Sequence, residues 1–260
     1  MYLTSRARAL LRAGTWAVMA VMYLPLAYVL LLSFNSAKSF TFRGFTLHWW
    51  PNTLAADGPR EALVRSLITA TGATAVALLL GTMAAFALSR FTFFGRDSLN
   101  LLIVLPIALP GIVTGIALNA TFKQVLDIDL GYGTLIVAHA TFCIVVVFNN
   151  VVARLRRLSP NLEEASADLG ADMFQTFRHV TFPLLRTALV AGALLAFALS
   201  FDEIVVTNFT GGGTETLPLW IFNNMFRPNN LPQVNVVAVI VVVLSIVPVY
   251  LSQRLAAGDD

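Results

Sequence analysis

EASADLGADMFQTFRHVTFP, Glu164–Pro183, is a polar stretch set between two long apolar runs, about 134–153 and 184–206. Its local chemistry is that of two short helices joined by a turn. Ser159 is a good N-cap, and Pro160 suits the first helical position, where its missing N–H costs nothing. Glu163 and Glu164 fall in the first turn, where carboxylates favour the helix dipole. Leu162, Ala165 and Leu169 share one face at i, i+3, i+7. Gly170 permits the left-handed conformation that ends a helix. Asp172, with Gln175 three residues on, has the spacing of a capping box for a second short helix. Pro183 marks the return to apolar sequence. A polar two-helix loop between apolar runs of this length predicts a chain that crosses a membrane, with the loop projecting on one side.

The composition agrees. The chain has 260 residues, 57% hydrophobic and 12% charged; ordinary soluble domains carry roughly 25% charged residues. Six runs reach the ~20 residues that a helix needs to cross a bilayer core: about 13–33, 62–89, 99–121, 134–153, 184–206 and 234–253. Transmembrane barrels alternate apolar and polar residues. Continuous runs such as Val236–Val243 and Ala73–Ala87 do not alternate, so the fold class expected is an all-α membrane protein with six transmembrane helices in one domain, 1–260. The first run is longer than a signal-peptide core and lacks a small-x-small cleavage site, so it is expected to be retained.

The net charge of +3 speaks for topology and lipid contact rather than nucleic acid. Arg6, Arg8 and Arg12 precede the first span, Arg90 and Arg96 follow the second, and Arg154, Arg156, Arg157, Arg178 and Arg186 flank the 160–183 loop. The positive-inside bias places both termini and this loop in the cytoplasm. Cys143 is the one cysteine, inside the fourth span, and reads as a small packing residue.

Within the spans, Gly72, Ala77, Gly81 and Ala85 let helices approach closely, which predicts that the second helix is buried among others. Pro106, Pro110, Gly111 and Gly115 predict a kink in the third, either pore-lining or structural. The outer loop Asn35–Arg60 contains Trp49 and Trp50. For Trp49 two readings stand: an interfacial anchor, or an aromatic surface that handles a cationic solute. The connection Thr207–Gln233 carries an apolar patch, Leu217–Phe226, which predicts a short helix at the interface or against a partner. Asp202 and Glu203 fall at the outer end of the fifth span. Ionisable groups in a span are costly and by default suggest function, though solvation or pairing near the interface would also accommodate them. An acidic group in a water-filled path would favour a cationic solute.

The chain has no G-x-x-x-x-G-K-[ST] phosphate loop, and its only lysines are Lys38 and Lys123. It has neither H-E-x-x-H nor G-x-S-x-G, and His48, His139 and His179 are scattered. No catalytic site, metal site or bound cofactor is expected on this chain. A self-sufficient secondary transporter or channel is the rival from another class; transport by the chain alone would decide for it. A membrane-integral enzyme would need a catalytic constellation that the spans lack.

The loop pattern Glu164-Ala165-Ser166, three residues, Gly170, nine residues, Val180, one residue, Phe182-Pro183 resembles the EAA loop of ABC-importer permeases. There Ser166 replaces Ala, Val180 replaces Ile and Phe182 replaces Leu. Further out, LPIALPGIVTGIAL (105–118), HATFCIVVVFNNVVARLRR (139–157), FALSFDEIVVTNFTGG (197–212) and TLPLWIFNNM (216–225) are similar to the second permease of spermidine/putrescine-type importers. The resemblance implies a type I importer permease fold with cytoplasmic coupling helices in a bacterial inner membrane. It also implies two ATPase subunits, which hold ATP and Mg, a second permease subunit and an outer solute-binding protein. Glu164, Ala165, Ser166, Gly170 and Pro183 would then belong to the contact with the ATPase. The solute implied is a polyamine such as putrescine or spermidine. Where some polyamine permeases carry an acid after the proline of the third span, this chain has Gly111 after Pro110; related subfamilies take up amino-acid derivatives or opine-like compounds.

Overall fold

A computed structural model of the chain describes residues 4–159 and 161–257. The secondary structure is helical throughout, with one isolated β-bridge, Asn35 to Phe45, among the described residues. The helices are α1 (Ser5–Leu32), α2 (Trp49–Ala55), α3 (Asp57–Arg90), α4 (Arg96–Ala108), α5 (Gly111–Ala120), α6 (Tyr132–Leu155), α7 (Asn161–Asp168), α8 (Met173–Thr176), α9 (Phe182–Phe201), α10 (Val205–Thr210), α11 (Leu217–Asn224) and α12 (Leu231–Ala257). Two π-helical turns, Thr121–Val125 and Phe177–Thr181, extend α5 and join α8 to α9.

Four helices are long and apolar enough to cross a membrane: Arg6–Leu32, Asp57–Arg90, Tyr132–Leu155 and Met173–Phe201. The bent pair α4–α5 with its π turn makes a fifth where the run 99–121 predicts one. The sixth expected span lies in α12, a helix of 27 residues whose described apolar part is Leu231–Ser245. Arg6, Arg8 and Arg12 lie inside α1 rather than before it, because Thr4 caps the helix: its Oγ1 accepts from the Ala7 N–H at 3.3 Å.

The chain divides into two compact units, residues 1–60 with 221–260, and residues 61–220. In the first, α12 packs on α1 and α2. The outer stretch 35–60 is not a plain loop. It folds around the buried Asn35, whose Nδ2 donates to the carbonyls of Ser39 (3.0 Å) and Thr41 (2.9 Å). Its Oδ1 accepts from the N–H groups of Ala37 and Arg43. One side chain thus satisfies four backbone groups that no regular element pairs.

In the second unit α6 is the centre. About 56% of its apolar stretch is buried, against 6% for α1, so α6 packs on protein while α1 is left open to lipid or a partner. Helices in lipid gain little from apolar burial as such and associate by close packing. α6 lies along α9, and Ala73, Ala77 and Ala85 of α3 are fully buried, as the small-residue spacing predicts. A Cβ on Gly81 would stand 2.9 Å from the Ile144 carbonyl oxygen and 3.1 Å from the Val147 Cβ. Gly81→Leu gains about 1 kcal/mol of helix propensity but loses up to ~3 kcal/mol to overpacking against backbone. A net loss of ~2 kcal/mol is expected in thermal unfolding of the purified chain; an unchanged midpoint would show that the α3–α6 contact yields.

Two predicted spans depart from regular helices. The third is broken rather than kinked: α4 and α5 meet at 107°. Leu109, held extended by the ring of Pro110 behind it, ends α4 at φ −82°, ψ 144°. Pro106, by contrast, sits inside α4 without ending it. The fifth stops at Phe201, short of the expected 206, and α10 begins separately at Val205. The predicted short helix at Leu217–Phe226 exists as α11, but Leu217, Leu219 and Trp220 are buried within the chain, so much of the patch is core rather than open surface.

Candidate functional site: the 160–183 loop and the Asp202–Glu203 corner

The loop begins with α7. The expected cap at Ser159–Pro160 falls in part on Pro160, outside the described residues. Glu163 and Glu164 are both in the first turn, and the structure separates them. Glu163 Oε1 pairs with Arg90 at the end of α3 (2.5 Å) and accepts from Thr181 Oγ1 in the π turn (2.8 Å). Glu164 is exposed and makes no hydrogen bond or ion pair among the described residues. One carboxylate holds the loop; its neighbour is left for something else. Sequence reasoning singled out Glu164 and missed the anchoring role of Glu163, which depends on Arg90, 73 residues away.

Ala165 is exposed on α7, and Ser166 Oγ lies 3.0 Å from Thr176 Oγ1, tying α7 to α8. Gly170 turns the chain at φ +86°, as its position predicts. A side chain there would be strained although no atom stands in its way. The capping box is present in full: Asp172 Oδ1 accepts from the Gln175 N–H (2.8 Å) and Gln175 Oε1 from the Asp172 N–H (3.0 Å).

The second helix is not short. It runs from Met173 through the π turn into α9 and ends at Phe201, so Pro183 lies in the first turn of α9 within a continuous helix. Proline lacks an N–H, and its ring collides with the carbonyl four residues back. The wider π turn just before it, closed by the Phe182 N–H on the Phe177 carbonyl, supplies the room. Arg154 Nε, donating to the Leu184 carbonyl (2.8 Å), fastens the same region to α6.

The tip of the loop carries large apolar side chains in the open: Leu162 (45% exposed), Leu169 (90%), Met173 (85%) and Phe174 (67%). The face Leu162–Ala165–Leu169 read from the sequence is thus unpartnered, and Met173 and Phe174 extend it. Clustered exposed apolar groups on an otherwise polar element mark an interaction surface.

The second candidate region is the corner between α9 and α10. Asp202 and Glu203 lie at a break between helices, so the 100° separation of neighbours on a helix does not govern them. Glu203 Oε1 accepts from the Val206 N–H (2.9 Å) and so caps α10. Asp202 is exposed at the end of α9, its carboxylate without a partner among the described residues. α10 lies against α5: a Cβ on Gly115 would meet the Phe209 ring at 2.8 Å, and Asn119 Nδ2 donates to the Phe209 carbonyl (2.5 Å). The broken third span therefore provides the wall beside this corner.

Behind it lies a group that the sequence did not announce. His139 is fully buried, its two ring nitrogens 2.8 Å from Ser200 Oγ and 2.9 Å from Thr207 Oγ1. Thr207 gives its own proton to the Glu203 carbonyl (2.8 Å). The network therefore assigns Nε2–H as donor to Thr207 and Nδ1 as acceptor from Ser200. His139 joins the last turn of α9 to α10 across the Asp202–Glu203 break. Cys143, one turn further along α6, donates to the Ala196 carbonyl (3.3 Å) and packs, as expected.

Trp49 belongs to the other unit. Its indole N–H donates to the Asn35 carbonyl (3.0 Å), and Lys38 Nζ stands 5.8 Å from the ring centroid. The ring face is thus already engaged by a cation of the chain itself.

Residues 77–257 match the family model of the binding-protein-dependent transport system inner membrane component. The chain belongs to this family. It is 36% identical over 250 residues to the spermidine/putrescine transport system permease protein PotC of Escherichia coli K12, covering 95% of this chain and 94% of that one. It is 34% identical over 250 residues to the PotC protein of Haemophilus influenzae, covering 95% of this chain and 96% of that one. To the putrescine transport system permease protein PotI of Escherichia coli K12 it is 35% identical over 228 residues, covering 85% of this chain and 81% of that one. Among solved structures it is similar to a bacterial ABC transporter involved in import of the acidic polysaccharide alginate (TM-score 0.71, 17% identity, 99% of both chains). It is also similar to the MetNI methionine ABC transporter (TM-score 0.59, 17% identity, 77% of this chain and 94% of that one). At that identity the likeness is one of fold, and the fold is that of type I ABC importer permeases. This inner membrane component is a multi-pass permease subunit.

Proposed function

We propose that this permease lines the translocation path of an ATP-driven importer for a small polycationic amine, putrescine or spermidine being the class, and that the 160–183 loop is its contact with the motor. The exposed face Leu162–Ala165–Leu169–Met173–Phe174 beside an unpaired Glu164, on a loop braced from behind by Glu163, is the observation that supports this reading. The partners are two ATPase subunits, which bind ATP and Mg, a second permease subunit and an outer solute-binding protein. The bacterial inner membrane is the location, with both termini and the loop in the cytoplasm. Closure of the ATPase pair on ATP moves the loop. The continuous helix Met173–Phe201 carries that movement to the Asp202 corner. The equilibrium between inward and outward states shifts only by the differential affinity of each ligand for the two.

The amine reading draws on the names of the relatives and on Asp202. Gly111, where some polyamine permeases carry an acid, lies with its Cβ position 3.8 Å from Val205, so Asp202 stands in the neighbourhood of the missing carboxylate. The same Gly111 favours a second reading: an importer of the same type for an amino-acid derivative or opine-like solute. Asp202→Asn is expected to lower uptake of labelled putrescine about tenfold, the equivalent of ~1.4 kcal/mol, at an unchanged amount of permease in the membrane. Unaltered putrescine uptake in that variant would remove Asp202 from the path. Efficient uptake of an uncharged solute, with none of putrescine, would overturn the amine reading.

A further inference from the structure

A cavity of about 270 Å³ opens where the C-terminal end of α3, the start of α4 and the C-terminal end of α6 converge. Ser89, Arg90, Arg96, Asp97, Asn100 and Arg156 supply its polar lining, and Phe148, Val152 and Leu155 its apolar part. Three guanidiniums therefore face one carboxylate. Their engagements differ. Arg90 is paired with Glu163. Arg96 Nε donates to the Leu88 carbonyl (2.8 Å), which fixes the guanidinium and leaves its terminal nitrogens for the cavity. The Arg156 guanidinium has no hydrogen bond or ion pair among the described residues. Convergent guanidiniums with a hydroxyl and an amide are the donor set for a phosphate group.

The surroundings say which phosphate. The turn between α3 and α4, both membrane-crossing elements, carries Phe91 (58% exposed), Phe93 (43%) and Phe94, which is fully exposed. No residue of α4 is buried within the chain. Exposed phenylalanines beside basic side chains at the end of a span insert at the headgroup–acyl boundary. α4 packs on α6 through Ile103 and Val104 and leaves Leu101, Leu102 and Leu105 exposed; an open apolar face beside a basic cavity fits a molecule with acyl chains on one side and an anionic head on the other.

We propose that this cavity binds the headgroup phosphate of an anionic phospholipid, with the acyl chains along α4 and the phenylalanine turn. The site needs only that the chain spans a membrane, so its failure would leave the transport reading standing, and the reverse. Because Arg90 also holds Glu163, a bound headgroup shares a partner with the 160–183 loop.

The test uses the full chain purified in detergent, with retention of phosphatidylglycerol or phosphatidylcholine followed by native mass spectrometry. Phosphatidylglycerol is expected to be retained in preference, and Arg156→Gln to weaken its binding about fivefold, the usual effect of one basic residue on an anionic headgroup. Arg157→Gln, an equal loss of charge one residue away and outside the cavity, is expected to leave it nearly unchanged. Millimolar inorganic phosphate is expected not to displace the lipid. Equal retention of the two lipids would overturn the proposal, as would equal losses in the two variants, which would mean diffuse surface charge. Displacement by inorganic phosphate would make this a free-anion site and overturn it as well. If Arg156→Gln kept its lipid but lost a co-purifying ATPase subunit, the cavity would be a protein contact and the proposal would fail.

Discussion

Glu164→Lys should reduce ATP-dependent solute uptake about 100-fold while the permease accumulates normally in the membrane. The carboxylate is exposed and unpaired among the described residues, so its reversal breaks no contact in the fold and costs only the first-turn dipole term, about 0.3–1 kcal/mol. On a face that docks to a motor subunit, reversing a charge at the centre of the contact costs ~2–4 kcal/mol, within the range of interface hot spots, and ~2.7 kcal/mol already corresponds to about 100-fold. Co-purification with the ATPase subunit should fall in parallel. Glu163→Gln is the instructive contrast. That side chain braces the loop on Arg90 and Thr181, so its loss should lower thermal stability as well as uptake. If Glu164→Lys transported normally, or if it failed by depleting the protein, the division of labour between the two glutamates would be wrong.

The second large effect is expected at His139. Truncation to alanine leaves a cavity in the centre of the second unit and strands the Ser200 hydroxyl, which loses its acceptor. Hydrogen bonds between helices in a membrane contribute on average ~0.6 kcal/mol each, so the two together account for about 1 kcal/mol. The void adds about 2 kcal/mol. A total near 3 kcal/mol corresponds to a fall in midpoint of roughly 6–12 °C for a chain of this size. His139→Gln, which can reach one of the two hydroxyls, should recover part of it. Because the ring joins α9 to α10 across the Asp202–Glu203 break, uptake should also fall at temperatures where the variant is folded. A midpoint shift below ~2 °C would show that the corner is held by packing alone, chiefly by Phe209 on Gly115.

The two glutamates and the histidine also show where reading the chain succeeds and where it stops. Asp172 and Gln175 form the capping box their spacing predicts, and Gly170 is left-handed, because these are contacts within a few residues. Five of the six apolar runs appear as spanning helices, one of them as a bent pair, and the sixth as a helix whose described apolar part is shorter, Leu231–Ser245; in lipid a backbone must satisfy its own hydrogen bonds, and a helix does so locally. Leu109–Pro110 signalled an irregularity, but nothing nearby could tell a kink from a 107° break; the seating of α5 against α10 is a long-range contact. Pro183 marks the return to apolar sequence, as read, but the expected short second helix does not end before it: the π turn carries the helix on to Phe201.

The sequence by itself therefore determined the helical membrane class, the loop's capping box and turn, and the family, since all of these rest on local periodicity and spacing. Only the tertiary structure decided that Glu163 braces the loop while Glu164 stands free. It likewise decided that Glu203 caps a helix while Asp202 stays exposed and unpaired among the described residues, and that His139 bridges α9 to α10 across that break. Each of these depends on which partner arrives from 60 or more residues away or on where a helix breaks, and long-range partners are chosen by packing, not by neighbours in the chain.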